Sequence, residues 1–240
     1  MSSPITDEIA AKDAIYAMLA CNCYHEKSKT HFPVEKLDWI LVDRDGHPTD
    51  EPSKQGWFTG FAYDIYENSK SNKSVIAFRG TDSKQDWITS NFAIPFSIPY
   101  KSAIKAVRQY VEKNGSRDLV VIGHSLGGGL ALSASVHQGV PAITFDPSPR
   151  IFDGLGDHHE PALRVIIYQK AEILEKLREK WDTKAYDVVK SEDVYECNYN
   201  FGENNDHRID ILAENLAKQG VRSNPKLQPI LDALPAKPIP

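Results

Sequence analysis

Short apolar runs alternate with stretches of helical spacing along this chain. Val75-Ile76-Ala77-Phe78, Leu119-Val120-Val121-Ile122, Ala142-Ile143-Thr144-Phe145 and Val165-Ile166-Ile167-Tyr168 are each bounded by polar or turn residues, the pattern of strands buried on both faces of a parallel sheet. Between the first two, Ile104, Val107 and Val111 recur at helical spacing, so that connection is read as a crossover helix. Upstream, Trp39-Ile40-Leu41-Val42 and the stretch from Phe58 to Tyr66 predict an antiparallel start to the same sheet, joined through a turn-rich segment with Gly46, Pro48 and Pro52. Glu8 to Cys21 is an Ala-rich helix, and Ile209, Leu212 and Leu216 mark another near the end. The alternation predicts an α/β fold, a mostly parallel central sheet with helices on both faces and an antiparallel N-terminal part.

Composition narrows the class. With 240 residues, 41% of them hydrophobic and 25% charged, the chain suits a single globular domain over residues 1–220. The stretch 221–240, punctuated by five prolines from Pro225 to Pro240, is expected to be a tail that wraps the surface or lies loose. No internal repeat is present. No apolar run reaches the roughly 18 residues needed to cross a bilayer, and acidic residues stand in Met1 to Ala10 where a signal peptide needs a basic start. The expectation is a protein made in the cytoplasm without a signal peptide, which stays there or leaves by a leaderless secretion route. A net charge of -5 without a block of Lys and Arg argues against nucleic acid. Cys21, Cys23 and Cys197 are too sparse for a structural zinc site and are expected to be reduced thiols.

The chemistry is concentrated in Gly123-His124-Ser125-Leu126-Gly127-Gly128-Gly129, a Gly-x-Ser-x-Gly sequence that follows an apolar strand and opens a small-residue helix. That context defines a nucleophile elbow. The serine sits on a sharp, strained turn, so Gly123 and Gly127 must leave room for neighbouring backbone. Its Oγ projects at a helix N-terminus, where free amides favour negative charge, and the Leu126 amide becomes one oxyanion donor. Upstream, the strand ending in Phe78-Arg79-Gly80-Thr81-Asp82 can place a second amide at the same oxyanion.

Taken together, Phe78-Arg79-Gly80-Thr81, then Asp86-Trp87, then Gly-His-Ser-Leu-Gly-Gly from Gly123 to Gly128 resemble the class-three, or fungal-type, lipases of the α/β-hydrolase superfamily. The resemblance runs from about Gly60 to Gly220. It implies the α/β-hydrolase fold, an oxyanion hole from Thr81 with Leu126 opposite, and a mobile lid soon after Trp87. Composition supports a lid within 87–100, because Trp87, Ile88, Phe92, Ile94, Phe96, Ile98 and Tyr100 form an apolar stretch broken by Pro95 and Pro99. Asp82 and Asp86 are expected to orient the oxyanion loop, and Arg79 to pair with a carboxylate.

A serine nucleophile needs a base that takes its proton at neutral pH and returns it to the leaving group. Of the histidines after Ser125, His137 lies inside the helix that follows the elbow, and His158 and His159 fall between two core strands. His207 ends an irregular stretch just before the last-named helix, the place where the resembled family keeps its base. Two carboxylates compete for the acid. Glu172 follows the strand ending at Tyr168, the family's usual place, though with Glu for Asp. Asp146 ends the strand Ala142 to Phe145, as in pancreatic-type lipases, and keeps the commoner residue type.

The expected activity is serine-dependent hydrolysis of carboxylic esters, first of lipids or phospholipids, through an acyl-enzyme and without metal or other cofactor. Expected partners are the lipid or ester substrate and, transiently, a membrane surface. The type also fits a bacterial toxin delivered by a secretion apparatus and restrained by an immunity or inhibitor protein. The alternative from another class is a non-catalytic binding or signalling module on the same fold.

Overall fold

The computed structural model describes residues 2–25, 28, 30–51, 61–80, 97–115, 118–148, 160–172, 174, 193–201 and 207–235. Their strands are β1 (Ser3–Pro4), β2 (Trp39–Val42), β3 (Tyr63–Asn68), β4 (Ser74–Phe78), β5 (Leu119–His124), β6 (Ala142–Phe145), β7 (Arg164–Gln169) and β8 (Asp193–Cys197). The helices are α1 (Asp7–Asn22), α2 (Ser97–Asn114), α3 (Leu126–Gln138), α4 (Ile209–Gly220) and α5 (Gln228–Asp232).

The strands form one 8-stranded sheet in the order β1-β8-β7-β6-β5-β4-β3-β2. Pairing is parallel from β1 through β4 in that order and antiparallel for β4-β3 and β3-β2. The expected antiparallel beginning therefore exists, with its second strand starting at Tyr63. Strand side chains alternate between two cores. Val75, Ala77, Ile122, Phe145 and Ile167 point to the face covered by α1, α4 and α5, whereas Ile76, Phe78, Val121 and Ile166 point to the face covered by α2 and α3. Both faces of a parallel sheet must be covered, which is why these strands are largely apolar.

One expectation changes. The stretch after Gly220 is not a loose tail, because Leu227 and Ile230 are 1% and 0% exposed in the core. Pro225 and Pro229 occupy the first turns of a 3-10 segment (Pro225–Leu227) and of α5, where the missing N–H costs nothing, so proline starts these helices instead of breaking them. The far end of the expected lid, Ile98 to Tyr100, is the first turn of α2; the part within 87–96 lies outside the described residues. The edge pair β8 and β1 had no counterpart in the sequence reading. The three cysteines are free and buried.

α1 is buried along most of its length from Ala10 to Asn22 and packs against α4 so closely that a Cβ on Gly220 would stand 2.6 Å from the Ala11 Cα. This fixed helix carries Tyr24 and His25 to the C-terminal edge of the parallel strands, where the site lies.

Candidate active site

β5 ends in His124, and Ser125 follows at φ 59° and ψ -127° as the N-terminal residue of α3. A side-chain-bearing residue at positive φ is strained and persists only where its surroundings over-determine it. Here they do. The Ser125 N–H donates to Phe145 O at 3.1 Å, and its carbonyl accepts from the N–H groups of Gly128 at 3.0 Å and Ser148 at 2.8 Å. The flanking glycines let the turn close. A Cβ on Gly123 would lie 2.3 Å from the Gly127 carbonyl, and one on Gly127 would lie 2.2 Å from Phe78 O. Ser125 is 6% exposed, and Leu126 begins α3 with its side chain packed against the core.

His207 stands two residues before α4. Its Nδ1 lies 2.8 Å from Glu172 Oε2, with side-chain exposures of 13% and 0%. Glu172 sits in the turn after β7, and the same oxygen also accepts the Leu174 N–H at 2.9 Å, so the carboxylate is held from two sides. His207 Nε2 is buried and makes no hydrogen bond among the described residues. The His207 ring packs on the ring of His124, the residue before Ser125, with centroids 4.6 Å apart and planes inclined by 37°.

Asp146 is also nearby, fully buried at the end of β6 with φ 41°. Its N–H donates to Ile167 O at 3.0 Å, and its Oδ1 accepts the Gln169 N–H at 2.7 Å. One ring nitrogen of His124, one of His207 and a carboxylate oxygen of Asp146 lie within 4.8 Å of one another. These are donor types that a divalent transition ion accepts. Ligands drawn from three separate elements leave no spacing signature, so the sequence offered no hint of this cluster.

The structure thus brings Ser125, His124, His207, Glu172 and Asp146 to one edge of the sheet. Thr81, Asp82 and Asp86 lie outside the described residues, as do His158 and His159. His137 is in the last turn of α3. Arg79 is 5% exposed and pairs with no carboxylate among the described residues.

One contributor escaped the sequence reading. Tyr24, just after α1, places its hydroxyl 3.1 Å from His124 Nδ1 and accepts the Gly80 N–H at 3.2 Å. A tyrosine 100 positions away from its partner, outside any motif, carries no local signal. The His124 ring is held neutral, its pKa well below the usual histidine value, by complete burial first and by His207 second.

Comparisons with known proteins bear on the family and the fold. A family model described as a Tle-like phospholipase domain, of phospholipase-like type, matches residues 15–181. The chain is 38% identical over 90 residues to the extracellular phospholipase A1 of Serratia liquefaciens, a match covering 37% of this chain and 27% of that protein. The chain therefore matches about a quarter of that relative's length. Among solved structures, a triacylglycerol lipase from Penicillium expansum superposes with a TM-score of 0.51 at 12% identity, over 82% of each chain. The Rhizomucor miehei lipase in its propeptide complex gives a TM-score of 0.50 at 15% identity, over 73% of this chain and 65% of that one. Likeness at such identity establishes the fold, and the sheet described above is that of an α/β-hydrolase. With a family model spanning 15–181, the chain belongs to the Tle-like phospholipase domain family.

Proposed function

We propose that this protein hydrolyses acyl esters of phospholipids, with Ser125 as nucleophile, His207 as general base and Glu172 as the acid that orients it. The observation that carries the reading is the 2.8 Å contact between His207 Nδ1 and Glu172 Oε2, with the imidazole stacked on the residue preceding the strained serine. A carboxylate on Nδ1 keeps the proton there and leaves the Nε2 lone pair to act as base.

In this mechanism the Ser125 Oγ–H gives its proton to His207 Nε2 as Oγ bonds to the ester carbonyl carbon. The carbonyl oxygen becomes an oxyanion facing the amides of Leu126 and Thr81. Collapse breaks the carbon–oxygen bond to the leaving alcohol, which takes the proton from Nε2. Water then repeats the sequence on the acyl-serine, with His207 again accepting and returning a proton, and the fatty acid leaves. Glu172 stays ionised and stabilises the imidazolium formed in each half.

Family membership and the similarity to the Serratia phospholipase A1 support a phospholipid as substrate. Ile98, 57% exposed at the first turn of α2, supports transient contact with a lipid surface. The test is hydrolysis of phospholipid vesicles, beside a ladder of chromogenic esters of increasing acyl length, by wild type, Ser125→Ala and His207→Ala. Fatty-acid release from vesicles that both variants lose supports the reading. A folded wild type that releases nothing from either substrate, with Ser125 inert to a fluorophosphonate, overturns it.

A further inference from the structure

The hydroxyl of Tyr24 stands between the two strands that lead to the two proposed oxyanion donors. On one side it accepts the N–H of Gly80 at 3.2 Å, the residue that ends the described part of the β4 exit and immediately precedes Thr81. On the other it lies 3.1 Å from Nδ1 and 3.5 Å from the carbonyl of His124, the last residue of β5 before Ser125 and Leu126. The crossing is tight. A Cβ on Gly80 would meet Tyr24 Oη at 2.4 Å, His124 O at 2.8 Å and Ser125 Cβ at 3.3 Å. The Gly80 backbone therefore passes directly beside the serine.

Hydrogen-bond accounting gives the hydroxyl a defined job. A phenol oxygen has one proton to donate and lone pairs to accept. Gly80 uses a lone pair, and His124 offers acceptors for the proton at Nδ1 and at its carbonyl. Burial keeps that ring neutral, which leaves Nδ1 able to accept, with the ring proton on Nε2. Without the hydroxyl, Gly80 N–H and His124 Nδ1 would both lose a buried partner.

The tyrosine is itself anchored. Tyr24 N–H donates to Cys21 O at 3.1 Å, and the Asn22 side chain is bonded twice to the backbone of Phe32, both at 2.8 Å. His25 Nε2 lies 2.7 Å from the buried Asp64 Oδ2 on β3. The turn is thus fastened to α1 behind it and to the antiparallel part of the sheet beside it.

We infer that Tyr24 is a positioning residue of the ester-hydrolysing site, whose hydroxyl fixes the separation between the Gly80 backbone and the His124–Ser125–Leu126 turn, and so the placing of the Leu126 donor. The inference rests on the serine-hydrolase reading above. It predicts a defect in the transition state more than in substrate binding, because an oxyanion donor matters most when the charge has formed.

The test is steady-state hydrolysis of a soluble short-chain chromogenic ester by wild type, Tyr24→Phe, His25→Gln and Ser125→Ala, with thermal unfolding of each. Tyr24→Phe is expected to lower kcat by ~10- to 100-fold, less than the loss of a whole donor, with KM changed by less than about 3-fold. Labelling of Ser125 by a fluorophosphonate should slow in proportion to kcat. His25→Gln, which loosens the same turn and leaves the hydroxyl in place, should lower kcat in the same direction by less. A folded Tyr24→Phe protein with wild-type kcat overturns the inference, as does a fall in kcat matched by a rise in KM. Should Tyr24→Phe fail to fold, an unchanged kcat in His25→Gln overturns it instead. Wild-type turnover that Ser125→Ala abolishes separates these outcomes from failure of the serine-hydrolase reading, which would show as no turnover and no labelling in wild type.

Discussion

Nδ1 of His207 and Oε2 of Glu172 lie 2.8 Å apart, the carboxylate wholly withdrawn from solvent and the imidazole nearly so. Asp146, buried at the end of β6, has one oxygen committed to the backbone N–H of Gln169 at 2.7 Å. Glu172→Gln is therefore expected to lower kcat by ~100- to 10,000-fold, since an amide on Nδ1 no longer enforces the working tautomer. Asp146→Asn should lose less than about 10-fold, because an amide oxygen can take over the Gln169 N–H that Oδ1 accepts. Parallel kcat measurements on a soluble ester decide between the two carboxylates. The reverse order of effects would transfer the acid's role to Asp146.

The glycines of the turn give a sharper prediction about folding. Gly127→Ala would drive a Cβ to within 2.2 Å of Phe78 O, a backbone atom of the central strand β4. No side-chain rotation relieves such a clash, so the variant should lose upwards of ~3 kcal/mol of stability or fail to accumulate folded. Gly115 is the control. Its φ is +82° but a Cβ there meets nothing within 4 Å, so Gly115→Ala should cost only about 1–2 kcal/mol of backbone strain. Urea unfolding of both variants tests the pair, and similar losses would refute the reading of the elbow as the tighter site.

What the sequence made legible follows the reach of its signals. Ser125 and its glycines were readable because strand, turn and helix are contiguous, and the turn is forced by steric demands within a few residues. The strands from β4 to β7 were readable as apolar runs, since strands buried on both faces are largely apolar. β8 was not, because Asp193-Val194-Tyr195-Glu196-Cys197 lies near the sheet edge, half-buried over most of its length, and alternates too briefly to stand out. The proximity of Asp146 and Glu172 to one imidazole depends on how two strand-end turns close, including Ala171 at φ 61°, and no local pattern encodes that. Tyr24 depends on α1 docking across the sheet, a tertiary event that local spacing does not record. Pro225 and Pro229 misled for a related reason: proline breaks a helix interior but suits a first turn, and only tertiary packing decides which it meets.

The cluster of His124, His207 and Asp146, with ligand-type atoms within 4.8 Å of one another, predicts sensitivity to transition ions. Because His207 Nδ1 is engaged by Glu172, Nε2 is the nitrogen left to coordinate, and an ion bound there would occupy the lone pair that must take the serine proton. Zn2+ is expected to inhibit ester hydrolysis reversibly, with activity restored by a chelator and the inhibition weakened in Asp146→Asn. Inhibition that Asp146→Asn leaves unchanged would place the ion elsewhere.

Asp13 supplies a test away from the chemistry. It lies on the buried part of α1, 0% exposed, and neither carboxylate oxygen finds a hydrogen-bond partner among the described residues. Burial is the main cause that pushes its carboxyl from 3.8 up to about 6, with Lys12 opposing and Asp193 adding to the rise. The folded state therefore keeps a proton that the unfolded chain releases between pH 3.8 and about 6. Stability falls as pH rises through that window, and the full penalty persists above it, on the order of 2–3 kcal/mol. Asp13→Asn mimics the protonated acid at every pH. It should therefore stabilise the protein at pH 7.5, by up to that amount, and give almost no gain at pH 3.8, where wild type keeps its own proton. Urea unfolding of the two proteins at several pH values isolates the difference, since every other titrating group is shared. A gain of equal size at both ends of the range would mean that Asp13 destabilises through packing rather than through its buried charge.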